Sequence, residues 1–198
     1  VSCGGAKTDH ILGPWEELVP QIDALTADTR LVTITIGGND VNYVGWLFAS
    51  GCKMGISMRP PPCPSGPPPG DDLFAKLDTN LRTIAAEVRR RAPNATLVFV
   101  QYVSLMSDTA CPLEAVVPED AQVAKGIATR LSSVTAAAAR DSGALVLNAD
   151  VLSAKHTPCS TQPWANGLHV GYDMKNGAPW HPNAAGHAAI AAALADML

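Results

Sequence analysis

Asn39 and Asp40 stand directly behind Gly37 and Gly38, at the end of the β-forming run Leu31-Val32-Thr33-Ile34-Thr35-Ile36. A short, uncharged, β-branched run is expected as a strand covered on both faces of a parallel sheet. In open α/β sheets ligands gather at the carboxyl ends of strands, so the Asn39 amide projects where chemistry is usually done. The competing reading is an ordinary Gly-Gly-Asn-Asp turn leading into a helix. His181-Pro182-Asn183, near the end, holds another residue able to do chemistry, and Gly4-Gly5 near the start reads as a turn. Glycine lets backbone approach a ligand closely. His181 is a candidate proton carrier; taken by itself it reads first as a structural histidine at a helix entry. His10, His156, His169 and His187 show no partner spacing and are given no chemical role.

These groups sit in a chain of 198 residues, 47% hydrophobic and 16% charged, which has the apolar material for one sizeable core; a single domain over 1–198 is expected. The net charge is −4 and no basic tract is concentrated anywhere, so nucleic acid is not an expected partner. No run approaches the roughly 20 apolar residues of a membrane span. The opening Val1-Ser2-Cys3-Gly4-Gly5 has neither the basic nor the hydrophobic part of an export signal.

Cysteines 3, 52, 63, 111 and 159 form no C-x-x-C pair, and disulfides explain their spacing better than zinc. Spacing alone leaves several pairings open for Cys3, Cys52, Cys63, Cys111 and Cys159. A Cys52–Cys63 bridge is expected, because the proline-rich run at 59–70 between and beyond them has little core to stabilise it. Residues 41–70 then read as an irregular excursion, either a stapled surface loop or a lid and wall for a ligand. Disulfides in turn point to an oxidising compartment, secreted or in the cell envelope.

The positioning elements follow from periodicity. A turn and a broken helix over 15–25 precede the 31–36 strand. Asp71 or Asp72 is expected to cap a helix with Leu73, Leu77, Leu81, Ile84 and Val88 on one face, ending before Pro93. Arg89-Arg90-Arg91 at its end complements the helix dipole and is given no function. Residues 95–102 read as a second buried strand, 118–142 as a helix that stops at Gly143, and 144–149 as a third strand. After an irregular 150–179, a terminal alanine-rich helix begins at His181-Pro182-Asn183. Short apolar strands alternating with long amphipathic helices predict an α/β fold with a parallel sheet between helical layers.

In their order along the chain, Cys3-Gly4-Gly5-Ala6, Gly37-Gly38-Asn39-Asp40 and the 181–187 block resemble the SGNH (GDSL) hydrolases, most closely the secreted actinobacterial lipases and esterases with three disulfides. The resemblance spans nearly the whole chain. It implies a three-layer α/β/α, flavodoxin-like fold and hydrolysis of a small-molecule or lipid ester through an acyl-enzyme, with no metal or organic cofactor. Carried over residue by residue, Gly5 supplies an oxyanion-hole N–H, Asn39 an oxyanion-hole amide and His181 the base. Many family members place an aspartate three residues before this histidine, where this chain has Ala178; the resemblance then implies a main-chain carbonyl, that of Ala178 or a close neighbour, as the group orienting the ring.

The family's Gly-Asp-Ser block, which carries the nucleophile, has no counterpart in these residues. The resemblance therefore implies an N-terminal segment bearing the serine, the sheet's first strand and a cysteine for Cys3, either cleaved, on another chain or outside the record. A different class of function is the alternative: a non-catalytic acyl- or carbohydrate-binding domain on a degenerate fold of the same type.

Overall fold

The computed structural model describes residues 2–57 and 62–198. Part of the proline-rich 59–70 run, and with it part of the lid reading of 41–70, lies outside the described residues. The chain forms two compact units interleaved in sequence. The first comprises Val1–Asn42, Pro69–Gln101 and Thr129–Leu147, and the second Tyr43–Pro68, Tyr102–Ala128 and Asn148–Leu198.

The first unit holds the parallel sheet, in the order β1 (Leu31–Ile34), β2 (Thr96–Val100), β3 (Leu145–Leu147). Val32 lies opposite Leu97, and Phe99 opposite Val146. β2 is central, and its Val98 and Phe99 are buried. β1 departs from expectation. Its residues alternate between exposed and half-buried, with Leu31 45% exposed, so the strand is not covered on both faces. Among the described residues it is an edge strand, paired with β2 alone. A cleft of about 180 Å³, lined by Cys3, Ala6, Ile11, Ile22, Leu25 and the 32–36 segment, runs along it.

Helix α1 (Thr8–Leu12) stands where the sequence suggested only a turn. The broken helix expected over 15–25 is instead a tight turn closed by reciprocal Trp15 and Leu18 backbone hydrogen bonds, with Glu16 at φ 55°, followed by a 3₁₀ turn at Gln21–Ala24. Pro20 precedes that turn and cannot continue a helix through it.

Helix α3 (Asp71–Arg91) ends before Pro93, but Gly70, not an aspartate side chain, is its N-cap. Asp71 pairs with Arg130 at 2.6 Å instead. The buried face of α3 is Phe74, Leu77, Leu81, Ile84 and Val88; Phe74 takes the buried place in the first turn and Leu73 is exposed. The arginines at its end are partnered, Arg91 to Asp23 at 2.7 Å and Arg90 to Glu87 at 2.7 Å.

The second unit contains a helix that the sequence did not suggest, α2 (Tyr43–Lys53). Gly45 and Gly51 read as breakers, but Gly51 is needed for packing: a Cβ there would come within 3.1 Å of the Ala115 carbonyl oxygen. Helix α4 (Pro118–Ser142) begins in this unit with Pro118 at its first position and contributes its later turns, from Thr129, to the other. The short α5 (Ala149–Leu152) and the terminal α6 (Ala184–Met197) complete it. Cys52 is bonded to Cys63 and Cys111 to Cys159. No helix among the described residues is long and apolar enough to cross a membrane.

Candidate active site

In the first unit the strand end and the glycine turn meet. The Ala6 N–H donates to the Cys3 carbonyl at 3.3 Å, closing a turn in which Gly5 has φ 86°. An L-residue is strained there, and a Cβ would lie 3.4 Å from the Trp15 ring. Gly5 is exposed, and among the described residues its N–H has no hydrogen-bond acceptor. Asn39 reaches the same turn: its Nδ2 donates to the Ala6 carbonyl at 3.0 Å. One amide hydrogen is used in that bond, and an amide nitrogen carries two. The structure thus brings Gly5 and Asn39 to adjoining positions, each with an N–H able to face a developing negative charge.

In the second unit His181 is exposed, and its Nδ1 lies 2.8 Å from the Pro179 carbonyl oxygen. A carbonyl can only accept, so Nδ1 carries the proton and Nε2 the lone pair of the neutral ring. The orienting carbonyl is that of Pro179 rather than Ala178. The chain turns through Trp180, held at φ 62° with its side chain buried, which returns the Pro179 carbonyl to the ring two residues on. The Ala178 carbonyl is committed elsewhere and accepts from Asn166 Nδ2 at 3.4 Å.

The segment around His181 is held from both sides. Asn166 N–H donates to the His181 carbonyl and Asn183 N–H to the Trp164 carbonyl, each at 2.9 Å. Asn183, not Pro182, sets the start of α6: its Oδ1 accepts from Gly186 N–H at 2.9 Å, and its Nδ2 donates to the Pro163 carbonyl at 2.7 Å. Gly186 lets α6 lie against Trp164, because a Cβ there would overlap the Trp164 carbonyl oxygen. Backbone cannot yield as a flexible side chain does. Gly186→Ala is therefore expected to lower stability by about 3 kcal/mol, read from chemical denaturation at an unchanged slope.

Three of the other four histidines make local contacts. His10 stacks on Trp15 with ring centroids 4.3 Å apart, and His156 stacks on Trp164 at 4.2 Å. His169 Nδ1 lies 2.8 Å from the Val170 carbonyl oxygen. Ser104 Oγ donates to the Asp150 carbonyl at 2.9 Å, and Ser107 Oγ donates to Glu114 at 2.6 Å. Burial pushes the Glu114 carboxyl above its usual range, although the Ser107 hydrogen bonds pull the other way. Among the described residues no three His, Cys, Asp or Glu side chains converge as a metal-binding group.

Pro179, Asn166, Asn183 and Gly186 carry much of this geometry and were given no role by sequence reasoning. Asn183 and Gly186 left a signal, since both lie within the 181–187 block and their offset of three suits a cap and the amide it receives.

A parallel sheet flanked by helices defines an α/β protein. The model of the GDSL-like lipase/acylhydrolase family matches residues 1–189, and the chain belongs to that family. It is 29% identical over 209 residues to Lipase 2 of Streptomyces coelicolor, covering all of this chain and 70% of that protein. It is also 29% identical over 245 residues to an esterase of Streptomyces scabiei, covering all of this chain and 69% of that protein. Two solved structures share the fold. A phospholipase A1 from Streptomyces albidoflavus superposes with a TM-score of 0.75 at 22% identity, over 99% of this chain and 78% of its own. An extracellular lipase from Streptomyces rimosus gives 0.64 at 22% identity, over 96% and 77%.

Proposed function

We propose that the protein is a secreted serine ester hydrolase that acts on lipid or small-molecule carboxylic esters through an acyl-enzyme. The observation that carries the reading is the His181 ring, fixed through Nδ1 on the Pro179 carbonyl so that Nε2 is the basic nitrogen. Family membership and the donors at Gly5 and Asn39 support it, and the two disulfides suit an oxidising compartment.

The nucleophile belongs to a Gly-Asp-Ser segment outside the 198 residues, in which no such tripeptide occurs. The apolar cleft along β1 is where the strand leading to that serine would pair, since an open parallel edge offers a row of backbone donors and acceptors. In this scheme the serine Oγ bonds to the ester carbonyl carbon as its proton passes to His181 Nε2. The tetrahedral oxyanion is held by the Gly5 N–H, the Asn39 amide and the serine's own N–H. Collapse breaks the bond to the alcohol, which leaves with the proton from His181, and water then repeats the sequence on the acyl-enzyme.

A fluorophosphonate probe on the full-length protein tests this. Labelling is expected on a serine outside the 198 residues, located by peptide mapping. Labelling of a serine within them displaces the proposed nucleophile. Absence of label on folded protein rejects the hydrolase reading and favours an acyl- or carbohydrate-binding domain.

A further inference from the structure

Asp40 holds the first residue of helix α1, three positions after Gly5, with more hydrogen bonds than Asn39 makes to Ala6. Both of its carboxylate oxygens accept from the Thr8 backbone N–H, at 3.2 and 3.1 Å, and one also accepts from the Thr8 hydroxyl. Thr8 is fully buried. The Thr8 hydroxyl oxygen in turn accepts from Asn80 Nδ2 at 2.8 Å, which directs its proton to Asp40. Asn80 also donates to Asp9 at 2.9 Å, and Lys76 pairs with Asp9 at 2.6 Å, so helix α3 braces the same segment.

We propose that Asp40 is a positioning residue of the oxyanion hole: by clamping Thr8 it fixes the separation between the Gly5 N–H and the Asn39 amide. This role rests on the ester-hydrolase reading. The two adjacent side chains hold the segment that follows Gly5 at points two residues apart, Asn39 at the Ala6 carbonyl that ends the turn and Asp40 at Thr8 that begins α1. Two such points resist rotation of the segment, as one does not, and Gly5 lies immediately before the first. Charge-assisted hydrogen bonds to a buried donor are strong, and their loss leaves the Thr8 N–H and hydroxyl without that acceptor inside the protein. Displacement of the Gly5 N–H by about 1 Å is enough to cost about 100-fold in rate.

The test uses the full-length protein with a p-nitrophenyl ester. Asp40→Ala is expected to lower kcat by about 10- to 100-fold while KM changes less than about 3-fold, and to speed hydrogen exchange at the Ala6–Thr8 amides. A folded Asp40→Ala protein that keeps kcat within about twofold overturns the proposal, as does a loss confined to KM or one with unchanged exchange at the turn. If Asp40→Ala does not fold, Thr8→Val and Thr8→Ser make the same comparison. Valine is expected to lower kcat and serine to restore most of it, and equal activities overturn the role. A wild type that hydrolyses no ester rejects the hydrolase reading and this role with it. Exchange rates at the turn separate that outcome from loss of the clamp alone.

Discussion

His181→Ala in the full-length protein is expected to lower kcat for ester hydrolysis by about 10³- to 10⁴-fold, the upper part of what a positioned general base contributes. The reason is the fixed tautomer. With Nδ1–H donated to the Pro179 carbonyl at 2.8 Å, Nε2 is left as the nitrogen that can receive the proton, and the hydrogen bond favours that ring orientation. Stability should change by less than about 0.5 kcal/mol, because His181 is exposed and its removal opens no cavity. The large effect on rate is therefore expected with an unchanged melting temperature, and fluorophosphonate labelling should slow in proportion to kcat. A folded variant that keeps a tenth of the wild-type kcat places the base elsewhere.

Asn39→Ala is expected to lower kcat by about 10²- to 10³-fold, equivalent to about 2.7–4 kcal/mol of lost oxyanion stabilisation, with little change in KM. The donor acts on charge that exists only in the transition state, so substrate binding should hardly register its loss. This variant also forfeits the bond to the Ala6 carbonyl at 3.0 Å, and about 1 kcal/mol of stability should go with it. Asn39→Asp removes both donor roles while keeping the side chain's volume. Its carboxylate has the same shape but only accepts, so it faces both the Ala6 carbonyl and the oxyanion with the wrong sign. It should be no more active than the alanine variant. An aspartate variant with near wild-type kcat removes Asn39 from the oxyanion hole.

These expectations draw differently on sequence and structure. The three blocks around Gly5, Asn39 and His181 were visible because each joins a turn-forming glycine or proline to a polar residue at a fixed offset, and chain order alone shows their succession. The helix over 71–91 and the later one over 118–142 were legible for a similar reason: their apolar stripes repeat every three or four residues. Helix α2 was not legible, because Gly45 and Gly51 weaken local propensity, and the glycine at 51 is explained by the close approach of Leu168 and of the Ala115 and Ile56 carbonyls. The turn at 15–18 misled in the opposite sense. Trp15, Leu18, Val19 and Ile22 have helical spacing, yet Val19 is 73% exposed while Ile22 is buried, so the spacing there did not define one face.

By itself the sequence determined the α/β class, the family and the residues that can supply an amide, a close backbone N–H and an imidazole, since these depend on residue type and order. Tertiary structure decided what each group touches. It selected the Pro179 carbonyl over that of Ala178 through the left-handed Trp180, left β1 at the sheet's edge among the described residues, and bound Asp40 to Thr8 across 32 positions of chain. Hydrogen bonds between segments far apart in sequence leave no periodic trace, and the direction of a carbonyl is set by backbone angles that residue types only bias.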